Sequence, residues 1–260
     1  MEAFTLTRKE MASLLLALDG RHSLTPLQVL QEAWKKAHRD ALEAGRSLPA
    51  FLTTELPPII ERMIKGGGVK GFSLQEIATL GKLIEYSHLS ITSMQNWVKR
   101  DFKPYFECPK MGRKYSLNQA ALLFIIDDLK SNLDFASILQ LFELIFNKPQ
   151  TDEDDLIGPL DLYASYSGMF EELDANNDQL MDTDGHVKES RNQDTLTEIA
   201  VRTAADRYAK RLPHLSKQQS EALRNVLFIA AISIQTSYFH SLARRYLNAT
   251  LFLTDSMTDR

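Results

Sequence analysis

Cysteine is all but absent: Cys108 is the single thiol in 260 residues. One thiol excludes an internal disulfide framework and fits a reducing compartment. A signal-peptide pattern is also missing. The chain opens MEAFTLTRKE, where Glu2, Arg8, Lys9 and Glu10 leave no apolar core segment. The longest apolar run, Val226 to Ile234, falls well short of the ~20 residues that span a bilayer. These absences predict a cytoplasmic protein with no membrane partner. Strand-like alternation is scarce, so sheets are not expected. The six histidines are His22, His38, His88, His186, His214 and His240, and none has metal-ligand spacing to another or to Cys108. Carboxylates are plentiful, yet none sits in an acid/base or nucleophile motif. The expectation is therefore a chain with no enzymatic activity, no metal and no cofactor.

What is present is an ordinary globular composition, 44% apolar and 25% charged. The net charge of −4 is unevenly spread. Residues 65–115 carry nine Lys and Arg against four Asp and Glu, a surplus of +5. Residues 150–198 carry two against fourteen, a deficit of −12. A basic block of this kind marks a phosphate-binding face, and an overall pI of 5.9 does not oppose that reading.

Helix signals recur along the chain. Thr7 and Glu10 form a capping box ahead of Met11 to Leu18, which closes at Gly20. Thr25 with Pro26 opens a second helix running to about Ala44. Pro57 and Pro58 open a third, Ile59 to Lys65, ending in a GGGVKG run. That run lacks phosphate-loop spacing and follows a helix, so it reads as a cap and link. Phe135 to Phe146 and Leu160 to Leu173 read as further helices. Asn147 to Pro159 is an acidic connection. Thr195 with Glu198 and Ser216 with Gln219 box two more helices, the last continuing to about Phe252. Its middle, apolar on all sides, marks a helix enclosed by others or shared between subunits.

The richest stretch is Ser73 to Lys130. Ser73 and Glu76 cap a helix through Ile77, Leu80, Leu83 and Ile84. His88 to Ser90 form a turn. Ser90 or Thr92 caps a second helix with Met94 and Trp97 inward and Gln95, Asn96, Lys99 and Arg100 outward. Lys103 to Tyr115 reads as an aromatic, basic hairpin. Ser116 and Gln119 then cap a helix whose Ala120, Leu123, Phe124, Ile126 and Asp127 are expected to alternate between buried and exposed faces.

The order LSITSMQNWVKRDFKP…GRKYSLNQAALLFI resembles the winged helix-turn-helix of MerR-type transcription regulators. From ELPPIIERMI to LQLFELIF, about residues 56–146, the chain is more closely similar to a YkrK-like group of bacterial MerR-like proteins of unknown function. Two features depart from the MerR pattern: His88 stands where a turn glycine is usual, and the GRKY wing is short. The resemblance implies an all-α fold with a small β-hairpin wing. Three segments follow: N-terminal helices over 1–55, a DNA-binding domain over 56–147, and a C-terminal helical dimerisation or effector domain over 148–260.

The candidate DNA contacts are Thr92, Ser93, Gln95, Asn96, Lys99, Arg100, Lys103, Lys110, Arg113, Lys114 and Tyr115. Gln95 and Asn96 donate and accept in one plane, which suits adenine in the major groove. Lys99 and Arg100 suit phosphate or guanine, and the wing cations suit the neighbouring backbone. The plainer alternative is a solvated polar helix face. Trp97 falls on the Met94 stripe and reads as core, while Tyr115 fits either role.

Asp174 to Gly185 resembles a calcium loop but has Gln179 at the turn glycine and Gly185 at the bidentate Glu, so it reads as a solvated acidic loop. Tyr163, Tyr166, Phe170, Phe228, Tyr238, Phe239 and Tyr246 line either an effector pocket, for a small molecule or a protein, or a bundle core or dimer interface. The expected function is a DNA-binding transcription regulator, a homodimer through its C-terminal helices on double-stranded DNA. The alternative is a protein-interaction module on the same fold.

Overall fold

The computed structural model describes residues 5–45, 57–65, 71–106, 114–146, 155–174, 181 and 193–258. Over these residues the chain is α-helical, as expected. Helices α1 (Arg8–Leu18), α2 (Pro26–Ala37), α3 (Arg39–Glu43) and α4 (Pro58–Ile64) come first. Then follow α5 (Leu74–Gly81), α6 (Ile91–Asn96), α7 (Leu117–Leu129) and α8 (Phe135–Ile145). Helices α9 (Pro159–Leu173), α10 (Gln193–Ala209) and α11 (Lys217–Thr258) complete the fold.

The starts obey local chemistry. Thr7, Thr25, Ser73 and Ser116 each accept from the N3 backbone N–H while the N3 Glu or Gln reaches back, completing four capping boxes. Gly20, with φ +75°, closes α1 in the left-handed region that only glycine enters without strain. Some ends depart from expectation. The helix expected to run to Ala44 breaks at His38, whose ring stacks 4.0 Å from Trp34 and whose Nδ1 lies 2.9 Å from the Trp34 carbonyl. The helix from Gln193 already contains Thr195, so Thr195 is not its cap.

Helix α7 is the hub. Every residue from Ala120 to Leu129 is buried, which corrects the expected alternation of faces. Helices α9 and α11 both pack on α7, while α1 packs on α9 and α10 packs on α11. One apolar cluster runs from Leu6 through Phe124 and Tyr166 to Ile234, so the N-terminal, middle and C-terminal segments share a core. Helix α11 carries an apolar window of mean hydropathy 1.4 within Lys217–Phe252, long enough to cross a bilayer by length and composition. The run Val226 to Ile234 alone understated it. Leu223, Val226, Leu227, Ala230, Ala231 and Ile234 are nevertheless buried in the shared cluster, the position of a core helix.

Two acids sit inside this core. Asp128 accepts from Arg8 Nε and from the Tyr166 hydroxyl, both at 2.8 Å, and Arg8 also donates to the Glu85 carbonyl at 3.1 Å. Arg8 is 6% exposed and Asp128 4%. Burial works against the guanidinium charge, but the pull of Asp128, with Tyr163 and Tyr166 beside it, outweighs that and raises the Arg8 pKa. Burial raises the Asp128 carboxyl above the ordinary aspartate range, against the pull of Arg8. Asp127 faces the other way, accepting from Ser87 Oγ at 2.7 Å and pairing with Lys130.

Removing one partner of a buried ion pair strands a charge and costs about 3–5 kcal/mol, whereas removing both is often near neutral. Arg8→Met and Asp128→Leu are each expected to lower stability by ~3–5 kcal/mol, and the double variant by far less than the sum. Urea unfolding of the three variants checks this, and additive losses would refute it.

A second expectation concerns the acids around α1. Burial raises the Glu10 carboxyl pKa, and Glu171 adds to it. Burial likewise raises Glu85, with Glu10 contributing. A carboxyl whose folded pKa lies above its unfolded value favours the folded state when protonated. Its contribution is complete below the unfolded pKa and is lost as pH climbs through the folded value. Mild acidification from neutral pH therefore stabilises through this pair. Glu85→Gln is expected to raise the thermal midpoint at neutral pH by ~2 °C and to shrink the gain on acidification, both read by thermal unfolding at two pH values.

Candidate functional site

The surface that bears most of the described candidate residues is built on α5, α6 and the turns that follow. Ser73 N donates to Glu76 at 2.8 Å, and Arg62 of α4 pairs with the same carboxylate at 2.7 Å. Burial opposes the Glu76 charge, but the Ser73 N–H and Arg62 prevail and hold its carboxyl below the usual range. Helix α5 then ends at Gly81, not at Ile84. The cause is long-range. Leu6 N donates to the Leu83 carbonyl at 2.7 Å and Glu85 N to the Leu6 carbonyl at 3.1 Å, forming an isolated parallel bridge between Leu6 and Ile84. The link from Lys82 to Ser90 is thus longer than the 3–4 residues of a usual helix-turn-helix. Tyr86 within it holds φ +59°, edge-on to Tyr238 with ring centroids 5.1 Å apart.

Ser90, the first of the two proposed caps, starts α6 by accepting from Ser93 N at 3.1 Å. After Asn96 the helix widens into a π turn, Trp97–Asp101, in which Phe102 N reaches the Trp97 carbonyl at 2.8 Å. A π turn accommodates an extra residue per turn. The result is two-sided. Met94, Trp97, Val98 and Phe102 are buried, while Gln95, Asn96, Lys99 and Arg100 are exposed. Phe135 of α8 packs edge-on to Trp97 at 6.2 Å and to Phe102 at 5.5 Å. The Lys130 ammonium lies 5.1 Å above the Trp97 ring. Trp97 is therefore core, as its place on the Met94 stripe implied.

The remaining candidates divide. Thr92, Lys103 and Lys114 are exposed. The Ser93 hydroxyl takes a hydrogen bond from Ser90 at 2.8 Å and serves the cap. Tyr115 is half-buried, 6.1 Å from the Phe106 ring, and its backbone bridges antiparallel to Phe72. Burial raises its phenol pKa. The expected hairpin is corrected at its start: Lys103–Tyr105 is a 3-10 turn, with Pro104 setting its φ and Tyr105 buried, its phenol pushed up to about 12 by burial and by Glu143 and Asp155. Lys110, Arg113 and Cys108 lie outside the described residues, as does most of the proposed wing. Among the described residues neither Lys99 nor Arg100 pairs with an acid. The surface thus presents two amides and two cations side by side, a set able to hydrogen-bond planar edges and to neutralise an anion.

Sequence reading missed the π turn and the Leu6 bridge. Neither leaves a local signal, because each depends on contacts made across the fold.

Residues 72–166 match a family described as a domain of unknown function, DUF1836. The matched span begins at the Phe72 bridge and ends inside α9. Along nearly its whole length the chain is similar to the uncharacterized protein YkrK of Bacillus subtilis (strain 168), with 34% identity over 247 residues. That alignment covers 94% of this chain and 97% of YkrK. No solved structure matches.

Seating of α6 depends on a close approach at Gly81. A Cβ there would stand 2.7 Å from Leu89 Cδ2 and 3.0 Å from Leu89 Cβ. Gly81→Ala is expected to cost about 1–3 kcal/mol through overpacking, and distinctly less in a Leu89→Ala background. Thermal unfolding of the pair, with each single variant as reference, reads the difference.

Proposed function

We propose that this chain, which belongs to the YkrK family, is a cytoplasmic, sequence-specific DNA-binding transcription regulator built on a MerR-like helix-turn-helix. The observation that carries the reading is the sidedness of residues 91–101. Gln95, Asn96, Lys99 and Arg100 face solvent, and the opposite side is locked by Met94 and Trp97. Gln and Asn read adenine edges, Arg and Lys read guanine or hold phosphate, and a rigid platform keeps them in register. The +5 surplus over residues 65–115 adds the long-range attraction that such binding needs. Lys114 and Lys103, on the turns flanking the helix, reach the adjacent backbone.

The same reading makes the protein a homodimer. Beyond its buried middle, α11 exposes Phe239, Tyr246, Leu247, Leu251 and Phe252, each at least half accessible. These large apolar side chains continue the helix that crosses the core, and a second copy of that helix would cover them. Two recognition segments would then face half-sites about 34 Å apart. The same apolar end supports the runner-up, a protein-interaction module whose partner occupies α11.

Duplex binding followed by fluorescence anisotropy over a salt series tests the proposal. Affinity is expected to fall with salt on a log–log slope near −0.9 per phosphate contact. Lys99→Ala with Arg100→Ala should lower affinity and flatten that slope by about two. Gln95→Ala with Asn96→Ala should narrow the gap between preferred and random duplex, by ~1–3 kcal/mol per base read. A wild-type chain that holds no duplex at low salt refutes the proposal and favours the protein-interaction reading.

A further inference from the structure

Behind the recognition segment lies an open cavity of about 630 Å³. Its walls come from the 82–90 link, the α7–α8 junction and α11. The volume falls in the range of small-ligand sites. Its chemistry is lopsided once internal commitments are counted. Asp127 is taken by Ser87 Oγ, at 2.7 Å, and by Lys130. Asp134 accepts from Ser137 N at 2.8 Å and caps α8. Both acids are thereby satisfied by the protein. On the basic side, Arg244 is exposed and pairs with no acid among the described residues, and His240 is exposed one turn before it. His88 lines the same wall with Nε2 3.0 Å from Ser241 Oγ. The polar groups left to meet a ligand are therefore predominantly cationic or donors. The apolar wall is Leu133 and the ring of Phe135, which is 38% exposed.

We propose that this cavity binds a small organic anion, with its carboxylate or phosphate on Arg244 and a planar apolar body on Phe135. Occupancy would reach the recognition segment directly. Phe135 touches both Trp97 and Phe102, at 6.2 Å and 5.5 Å between ring centroids. Lys130 stands over the same indole at 5.1 Å. A ligand that turns Phe135 would shift the packing under Lys99 and Arg100. The binding half of the proposal stands by itself; the regulatory half rests on the DNA-binding reading.

The chain has two tryptophans, so Trp34→Phe leaves Trp97 as the reporter indole. Benzoate, phenyl phosphate and neutral benzyl alcohol are titrated against the full-length variant, followed by Trp97 emission and by calorimetry. At least one anion is expected to bind about tenfold or more tighter than the alcohol, and Arg244→Ala should remove that advantage. Equal binding of anions and alcohol, or anion affinity unchanged by Arg244→Ala, overturns the anion site. Duplex affinity is then measured with and without saturating anion, where a change of about fivefold or more is expected. Unchanged duplex affinity overturns the coupling and leaves the site standing. A chain that holds no duplex removes the coupling too, and the Trp97 titration alone then judges the site.

Discussion

The buried contact among Arg8, Asp128 and Tyr166 sets the terms for the rest of the molecule. A guanidinium and a carboxylate, both almost fully enclosed, must find each other, while Arg8 also donates to the Glu85 carbonyl and the Tyr166 hydroxyl to the same carboxylate. Three distant segments meet to do this. Helix α1 supplies Arg8, α7 supplies Asp128 and α9 supplies Tyr166, while the Glu85 carbonyl draws in the link before α6. Apolar burial alone would let these helices slide. A directional pair does not, because a shift of a few tenths of a turn strands a charge in low dielectric. The Leu6–Ile84 bridge follows from the same docking, since it holds the residues just before α1 against the chain that leads to α6.

That dependence explains where sequence reading succeeded. The caps at Thr7, Ser73 and Ser116 and the start signal of Thr25 with Pro26 needed only residues within one turn, and each helix starts where they placed it. Trp97 was readable as core because its partner in the pattern, Met94, lies one turn away. Periodicity also found α8, and the aromatic stretch Leu160 to Leu173 marked α9, each nearly to the residue. The misses share a cause in long-range contact. Leu83 and Ile84 fit a helical stripe, but Leu6 takes the Leu83 carbonyl and the Glu85 N–H on either side of Ile84 instead. Asp127 belongs to a stretch expected to alternate between buried and exposed faces, and its burial depends on Ser87, which reaches it only once the 82–90 link folds over α7, and on Lys130. Pro104 turned Lys103–Tyr105 into a 3-10 turn where a strand was expected. The candidate site was legible as a set of residue types. Its division was not: Ser93 turned out to serve the α6 cap, and Tyr115 the Phe72 bridge.

Helix α6 itself has six residues, and the π turn adds five. Isolated helices of this length are unstable in water, because nucleation fixes several residues for one hydrogen bond. Order in this segment must therefore be imported from beneath. Trp97 and Phe102 supply it by packing on Phe135 of α8, with Met94 buried in the same core, and Lys130 adds a cation over the indole. A face prepared in this way avoids much of the ordering cost that a flexible basic loop would meet on binding. Yet the same arrangement makes the face sensitive to whatever loosens its underside. The underside is partly wet: Phe135 and Lys130 each touch Trp97 on one side and open cavity on the other. A surface held by side chains that solvent can reach is one whose stiffness a ligand can tune. On the proposed reading, the packing that would make a six-residue helix usable for recognition would also make it adjustable.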